Sequence, residues 1–328
     1  MKIAIYGAGA IGAHLGGMLA RTDVDVSLIA RGPHLAAMQQ NGLLCKFQDG
    51  ASFRVTPNAT DDPASLGPQD YVIVTLKAHQ SPGVVDLMQP MLGPDTAVVT
   101  AMNGVPWWYF YKLAGAHENY QIKAVDPDGK QWNGIGPERT IGCITYVASE
   151  VTAPGEIESG GQMQYYIGEP DNTESMRAKR FQEVVDETAI DAHLRTDLRR
   201  DIWVKIMGNA AYNPISALTM GTMGDMVNDP GVEDILRKVM AEVVAVGRGV
   251  GAEPNASIEE RIVGTRNGAA SHKSSMLQDL ERGRQMEINP IVGATAEVGK
   301  VVGVETPTID TVLALVRLRA KLAGLLPE

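Results

Sequence analysis

Lys2-Ile3-Ala4-Ile5-Tyr6-Gly7-Ala8-Gly9-Ala10-Ile11-Gly12 follows the first methionine. An apolar strand-like run passes straight into Gly-x-Gly-x-x-Gly, and His14 to Arg21 has the composition of a helix. Strand, glycine loop and helix in this order give the motif its meaning as a dinucleotide-binding turn. Gly7 allows the tight turn, Gly9 lets backbone approach a pyrophosphate, and Gly12 lets the helix pack close to the strand. Amides of Ala8, Ala10 and Ile11 at the helix start complete the phosphate cradle.

Outward from this loop, short β-rich runs at Val24–Ala30, Tyr71–Leu76 and Ala97–Ala101 alternate with helical or turn-rich stretches. That alternation builds a parallel sheet with crossover helices. Leu43–Phe47 and Ser52–Val55 flank Gln48-Asp49-Gly50-Ala51 and read as a hairpin. Ile141–Ala148, Gly155–Glu158 and Gln162–Ile167 read as three further strands. From Thr173 helical periodicity takes over, in Ser175–Thr188, Leu198–Ala211, Val232–Val250 and Thr306–Leu326. The expected fold class is α/β, a Rossmann-like N-terminal domain (residues 1–197) followed by an all-helical C-terminal domain (residues 198–328). Ala114–Glu138 is rich in turn formers and is expected as a loop or insertion within the first domain. Its Asp126-Pro127-Asp128-Gly129 lacks the further oxygen ligands of a calcium loop and reads as a turn.

The end of the second strand selects between the two nicotinamide dinucleotides. NAD sites place a carboxylate about 20 residues beyond the glycines, for the ribose 2′-hydroxyl. Here Val26-Ser-Leu-Ile-Ala30 leads to Arg31, nineteen residues after Gly12, and no acid stands there. A guanidinium can grip a 2′-phosphate with two hydrogen bonds. NADP (NADPH) is therefore the expected cofactor. Lys77 and Asn103 follow two other apolar strands, at the carboxyl ends where ligands collect in open α/β sheets.

In the second half, Lys205, Asn209 and Asn213 recur every four residues and make one polar stripe on a helix. Ile202, Val204, Ile206 and Met207 surround the lysine with apolar groups, which favours a lowered pKa and a proton donor. Pro214 removes an amide donor, so the helix is expected to bend or stop at Asn213. Farther on, Ser275 and Gln278 fit a capping box, and Glu287 stands between Met286 and Ile288. No histidine or acid set has metal spacing, so no metal is expected.

Composition bounds the partners. The 328 residues carry a formal net charge of -10 and a pI near 5.2, which argues against nucleic acid and anionic membrane. No apolar run is long enough for a membrane span: the last helical stretch is broken by Arg317, Arg319 and Lys321. The glycine-rich start does not suit a signal peptide. Cys45 and Cys143 have no redox or metal spacing and suit a reduced cytoplasm. A cytoplasmic protein is expected, with a homodimer left open.

Taken together and in order, Gly7–Gly12, Arg31, Thr75-Leu-Lys77-Ala78, Asn103-Gly104, Lys205 with Asn209 and Asn213-Pro214, and Ser275 to Glu287 resemble the ketopantoate reductase (2-dehydropantoate 2-reductase) family over nearly the whole chain. The resemblance implies NADPH-dependent reduction of a small 2-oxo acid in pantothenate biosynthesis, at a cleft between the domains. It implies Lys205 as general acid and Glu287 as a substrate-orienting carboxylate. By the same resemblance Asn103, Asn209, Asn213 and Ser275 hold nicotinamide or substrate, and Arg31 and Lys77 sit by the 2′-phosphate. Two departures stand out. Met223 occupies a place where some members carry a further asparagine, and the run Val105-Pro-Trp107-Trp108-Tyr109-Phe110-Tyr111 is unusually aromatic. That run is expected as core or subunit interface, or as a reshaped substrate pocket. Two other readings remain at this point: a relative acting on 3-hydroxy acids, and an NADPH-binding sensor without turnover.

Overall fold

The structure is a computed structural model, and it describes residues 1–326; of Gln162 only the backbone is described. The end of the expected helical domain, Pro327 and Glu328, lies outside the described residues. The chain folds into two compact units. One combines residues 1–102 with 129–198; the other combines 103–128 with the chain from Arg199 onward.

The first unit is built on a ten-stranded sheet: β1 (Lys2–Tyr6), β2 (Asp25–Ile29), β3 (Leu43–Phe47), β4 (Ser52–Val55), β5 (Asn58–Thr60), β6 (Tyr71–Val74), β7 (Ala97–Thr100), β8 (Thr140–Ala153), β9 (Glu156–Gly168) and β10 (Asp191–Leu194). Their spatial order is β4-β3-β9-β8-β7-β6-β1-β2-β5, with β10 also on β9. β1 lies parallel between β2 and β6, Ile5 opposite Leu28 on one side and Ile73 on the other. β6 is buried throughout and β1 and β2 are buried after their first residue, because both sheet faces are covered. α1 (Ala10–Leu19) and α2 (Gly32–Asn41) follow β1 and β2; short α3 (Val85–Met88) and α4 (Lys130–Gly134) come later, and α5 (Met176–Asp186) precedes β10. Ile3, Ile5, Leu15, Leu19 and Leu28 are fully buried between sheet and helix.

The predicted hairpin is present, with Leu43 opposite Val55 and Lys46 opposite Ser52. Gly155–Glu158 and Gln162–Ile167, expected as separate strands, form the single strand β9. The intervening glycines do not end it. Gly160 pairs with Ala148, and Gly161, at φ +71°, lies where the register shifts between Tyr146 and Ala148. A left-handed glycine helps the strand absorb the two extra residues between Gly160 and Gln164 as a bulge and continue.

The second unit is helical: α6 (Leu198–Thr219), α7 (Met223–Asn228), α8 (Pro230–Gly249), α9 (Ile258–Gly268), α10 (Ser275–Glu281), α11 (Ala294–Val301) and α12 (Pro307–Leu322), with a π-helical turn at Asn289–Gly293. The segment 103–128, expected in the first domain, belongs to this unit. Its aromatic run explains the transfer. Trp107, Trp108, Tyr109 and Phe110 are fully buried, Tyr109 hydroxyl accepts from Trp203 Nε1 at 2.7 Å, and buried Arg199 donates to the Tyr109 and Tyr111 carbonyls. These side chains are core around α6, as the first of the expected placements has it. Among the described residues, no helix is long and apolar enough to cross a membrane.

Candidate active site

In the first unit the candidate residues Gly7 to Gly12, Arg31 and Lys77 follow the carboxyl ends of β1, β2 and β6. The connections leave β1 toward β2 on one side and return to β6 on the other, so this is the topological switch point of the sheet. Gly7 has φ +106°, and a side chain there would run into Leu76. A Cβ on Gly12 would lie 2.3 Å from the Gly7 carbonyl and 2.4 Å from Thr75 Oγ1, so only glycine permits this approach of α1 to the strand ends. Thr75 hydroxyl donates to the Gly7 carbonyl at 2.7 Å and ties the loop to the end of β6. Around Gly9, by contrast, a Cβ would find nothing within 4 Å. The loop is thus pinned at both ends and open in the middle, where Gly9 caps α1 with no acidic residue in its first turn. First-turn amides have no partner within their helix and attract anions. This geometry fits a dinucleotide pyrophosphate.

Arg31 is exposed at the start of α2, and its charge acts on Tyr6 at the end of β1, opposing the upward shift that burial imposes on the phenol. Lys77 is half-buried just beyond β6. A residue that the sequence did not single out, His34, stands three positions after Arg31. Its Nδ1 accepts from the Gly155 amide at 3.0 Å, and its other ring nitrogen lies toward the Ala8 carbonyl without closing an ordinary hydrogen bond. Burial lowers its pKa below the ordinary value.

The second unit assembles a polar set from distant sequence. Asn103 Nδ2 donates to Glu287 Oε2 at 3.3 Å, and Glu287 is only 3% exposed. The turn after Asn103 makes this contact possible: Gly104 has φ +92°, a Cβ on it would lie 2.3 Å from the Pro290 carbonyl, and Val105 N–H donates to that carbonyl at 3.0 Å. Lys205 and Asn209 are half-buried and Asn213 buried, all on α6, with Ile202, Ile206 and Met207 packed in the core beside them. Of the bend or stop expected at Asn213-Pro214, the stop is not observed. α6 runs on to Thr219, because the missing Pro214 amide costs a single helical bond while the buried flank from Ile206 to Ala217 holds the helix in place.

Ser275 is exposed in the first position of α10, and the expected Ser275–Gln278 capping box is replaced by a cap one residue earlier. Ser274 Oγ accepts from the Leu277 amide at 3.1 Å, and Gln278 turns back to the Lys273 carbonyl. Met223 is the first residue of α7, whose cap is Thr222. Among the described residues no group of three or more His, Cys, Asp or Glu side chains could hold a metal ion.

Sequence comparison separates the family. The profile described as Ketopantoate reductase PanE/ApbA matches residues 3–172, and that of the Ketopantoate reductase PanE/ApbA C terminal matches residues 197–320. A 2-dehydropantoate 2-reductase of Mesorhizobium japonicum is 45% identical over 97% of both chains. The chain belongs to the ketopantoate reductase family. It is an oxidoreductase, and the family is nicotinamide-dependent. A Ralstonia solanacearum crystal structure, provisionally assigned as a ketopantoate reductase, superposes with a TM-score of 0.93 at 38% identity over 99% of both chains. A PanE/ApbA family ketopantoate reductase from Ralstonia eutropha gives 0.83 at 28% identity over 99% of this chain and 100% of the other.

Proposed function

We propose that this protein reduces 2-dehydropantoate (ketopantoate), or a closely related branched 2-oxo acid, to the 2-hydroxy acid with NADPH in the cytoplasm, as a step of pantothenate biosynthesis. The observation that carries this reading is the α6 stripe: one lysine followed at four-residue intervals by two asparagines, set in an apolar flank. The nicotinamide supplies a hydride to the oxo carbon. Reduction leaves negative charge on the former carbonyl oxygen, and Lys205 donates the proton that completes the hydroxyl. Asn209 and Asn213 cannot release a proton at neutral pH, so their part is orientation and hydrogen bonding.

Asn103 and Glu287, already hydrogen-bonded to each other, orient nicotinamide and substrate, and Ser275 meets the substrate. Gly7 to Gly12 hold the pyrophosphate. Arg31 and Lys77 hold the 2′-phosphate, an assignment supported by the absence of any carboxylate where β2 ends.

The test is a panel of 2-oxo and 3-hydroxy acids followed by nicotinamide absorbance. Ketopantoate is expected to give the highest kcat/KM with NADPH. If ketopantoate is inert while another 2-oxo acid turns over, the specific substrate falls and the reaction class stands. If no acid consumes NADPH, the reading is wrong.

A further inference from the structure

The polar stripe of α6 continues past the proline. Ser216, fully buried, lies three residues beyond Asn213 and therefore on the same helix face. Its hydroxyl is 2.7 Å from that of Ser274, which is 2% exposed and caps α10. Their neighbours in sequence, Ile215, Ala217, Met276 and Leu277, are buried too. A matched hydroxyl pair in such surroundings adds little net stability, since two apolar groups of the same shape would serve nearly as well. What it adds is direction: a hydrogen bond between side chains on two helices fixes how one lies on the other. The residue after Ser274 is Ser275, exposed at the start of α10.

We infer that Ser216 and Ser274 are positioning residues for the oxo-acid end of the site, holding the Ser275 hydroxyl at a set place beside the Lys205–Asn213 stripe. The inference rests on the proposed function and extends it to residues that touch neither substrate nor cofactor. It also gives a purpose to the unbroken course of α6 through Pro214, because a helix ending at Asn213 would leave Ser216 without a defined position.

Ser216→Ala removes the pair and leaves the Ser274 cap intact. KM for the oxo acid is expected to rise about 5- to 10-fold, the scale of one hydrogen bond, with kcat and the KM for NADPH unchanged. Ser274→Gly keeps a tolerated cap while deleting the same hydroxyl, so it gives the same result by a second route should Ser216→Ala fail to fold. A general packing defect would also raise KM, and the Ser275→Ala background separates the two. If the pair acts through Ser275, Ser216→Ala has no further effect on KM once Ser275 is gone. An unchanged KM in both variants, or an equal rise with and without Ser275, overturns the inference. An unmodified protein that reduces no 2-oxo acid overturns the proposed function and this inference together, and is recognised before any variant is made.

Discussion

The glycine loop after β1 and the polar set of the helical unit are the two regions to which we assign function, and they are specified in opposite ways. The loop is contiguous, and its role depends on what its residues lack. A Cβ at Gly12 would collide with the Gly7 carbonyl and Thr75, while a Cβ at Gly9 would meet open space. The polar set depends on what its residues carry, and it draws Asn103 to Glu287 across 184 positions of sequence. The first kind of site can be damaged by adding a methyl group and the second by removing one functional group. Damage to the two should therefore appear in different kinetic constants.

The largest expected effect lies in the helical unit. Lys205→Ala is predicted to lower kcat by about 10²–10⁴, the scale of lost general acid catalysis, with the KM for NADPH unchanged. Steady-state kinetics with each substrate varied in turn checks this, and an equal change in both constants would erase the contrast between the regions.

The next effect belongs to α1. His14 is buried, neither ring nitrogen has a hydrogen-bond partner, and burial lowers its pKa from 6.5 to about 4. Between those values the unfolded chain binds a proton that the folded chain refuses, so stability falls as pH drops from 6.5 toward 4 and is fully present above 6.5. The loss amounts to as much as about 3 kcal/mol. Denaturant midpoints measured across that range for the parent and His14→Leu check it: the variant should show the shallower slope, and parallel curves would assign the acid sensitivity elsewhere.

Arg31→Ala comes third. It is expected to erode the preference for NADPH over NADH by about 1–3 kcal/mol, the range of a charged hydrogen bond, mainly through KM because the 2′-phosphate is remote from the reacting carbon. Equal kcat/KM for the two cofactors in the unmodified protein would remove the premise.

The smallest effect sharpens the loop itself. Gly12→Ala should cost about 1–3 kcal/mol of stability through overpacking. Gly9→Ala should leave stability nearly untouched and weaken dinucleotide binding, because its added methyl projects into open space. Thermal unfolding with and without NADPH distinguishes them, and similar losses of stability in both would contradict the pinned-and-open description.

The same difference explains how much could be read in advance. β1, the glycine loop and the hairpin of β3 and β4 follow from local rules of turn chemistry and side-chain alternation, and each stands where those rules place it. The Lys205–Asn209–Asn213 spacing was legible because helix periodicity is also local. What escaped depended on tertiary packing. Pro214 reads as a bend or a stop, and the buried flank of α6 carries the helix past it to Thr219. Ser275 reads as a cap, yet the preceding serine, Ser274, caps α10 and also pairs with Ser216 on α6. Residues 103–128 read as part of the nucleotide domain, and contacts distant in sequence, such as those of Tyr109 with Trp203 and Arg199 and of Asn103 with Glu287, go with their place in the helical unit. β5 and β10 are short and polar, and their pairing with β2 and β9 is what makes them strands.

The most direct test of the account is single-turnover hydride transfer by Lys205→Ala at saturating NADPH and ketopantoate, run beside a fluorescence titration of the same variant with NADPH. The account predicts transfer slowed by about 10²–10⁴ with NADPH affinity equal to that of the parent protein. Near-normal transfer, or lost NADPH affinity in a variant that is still folded, would show that Lys205 is not the acid.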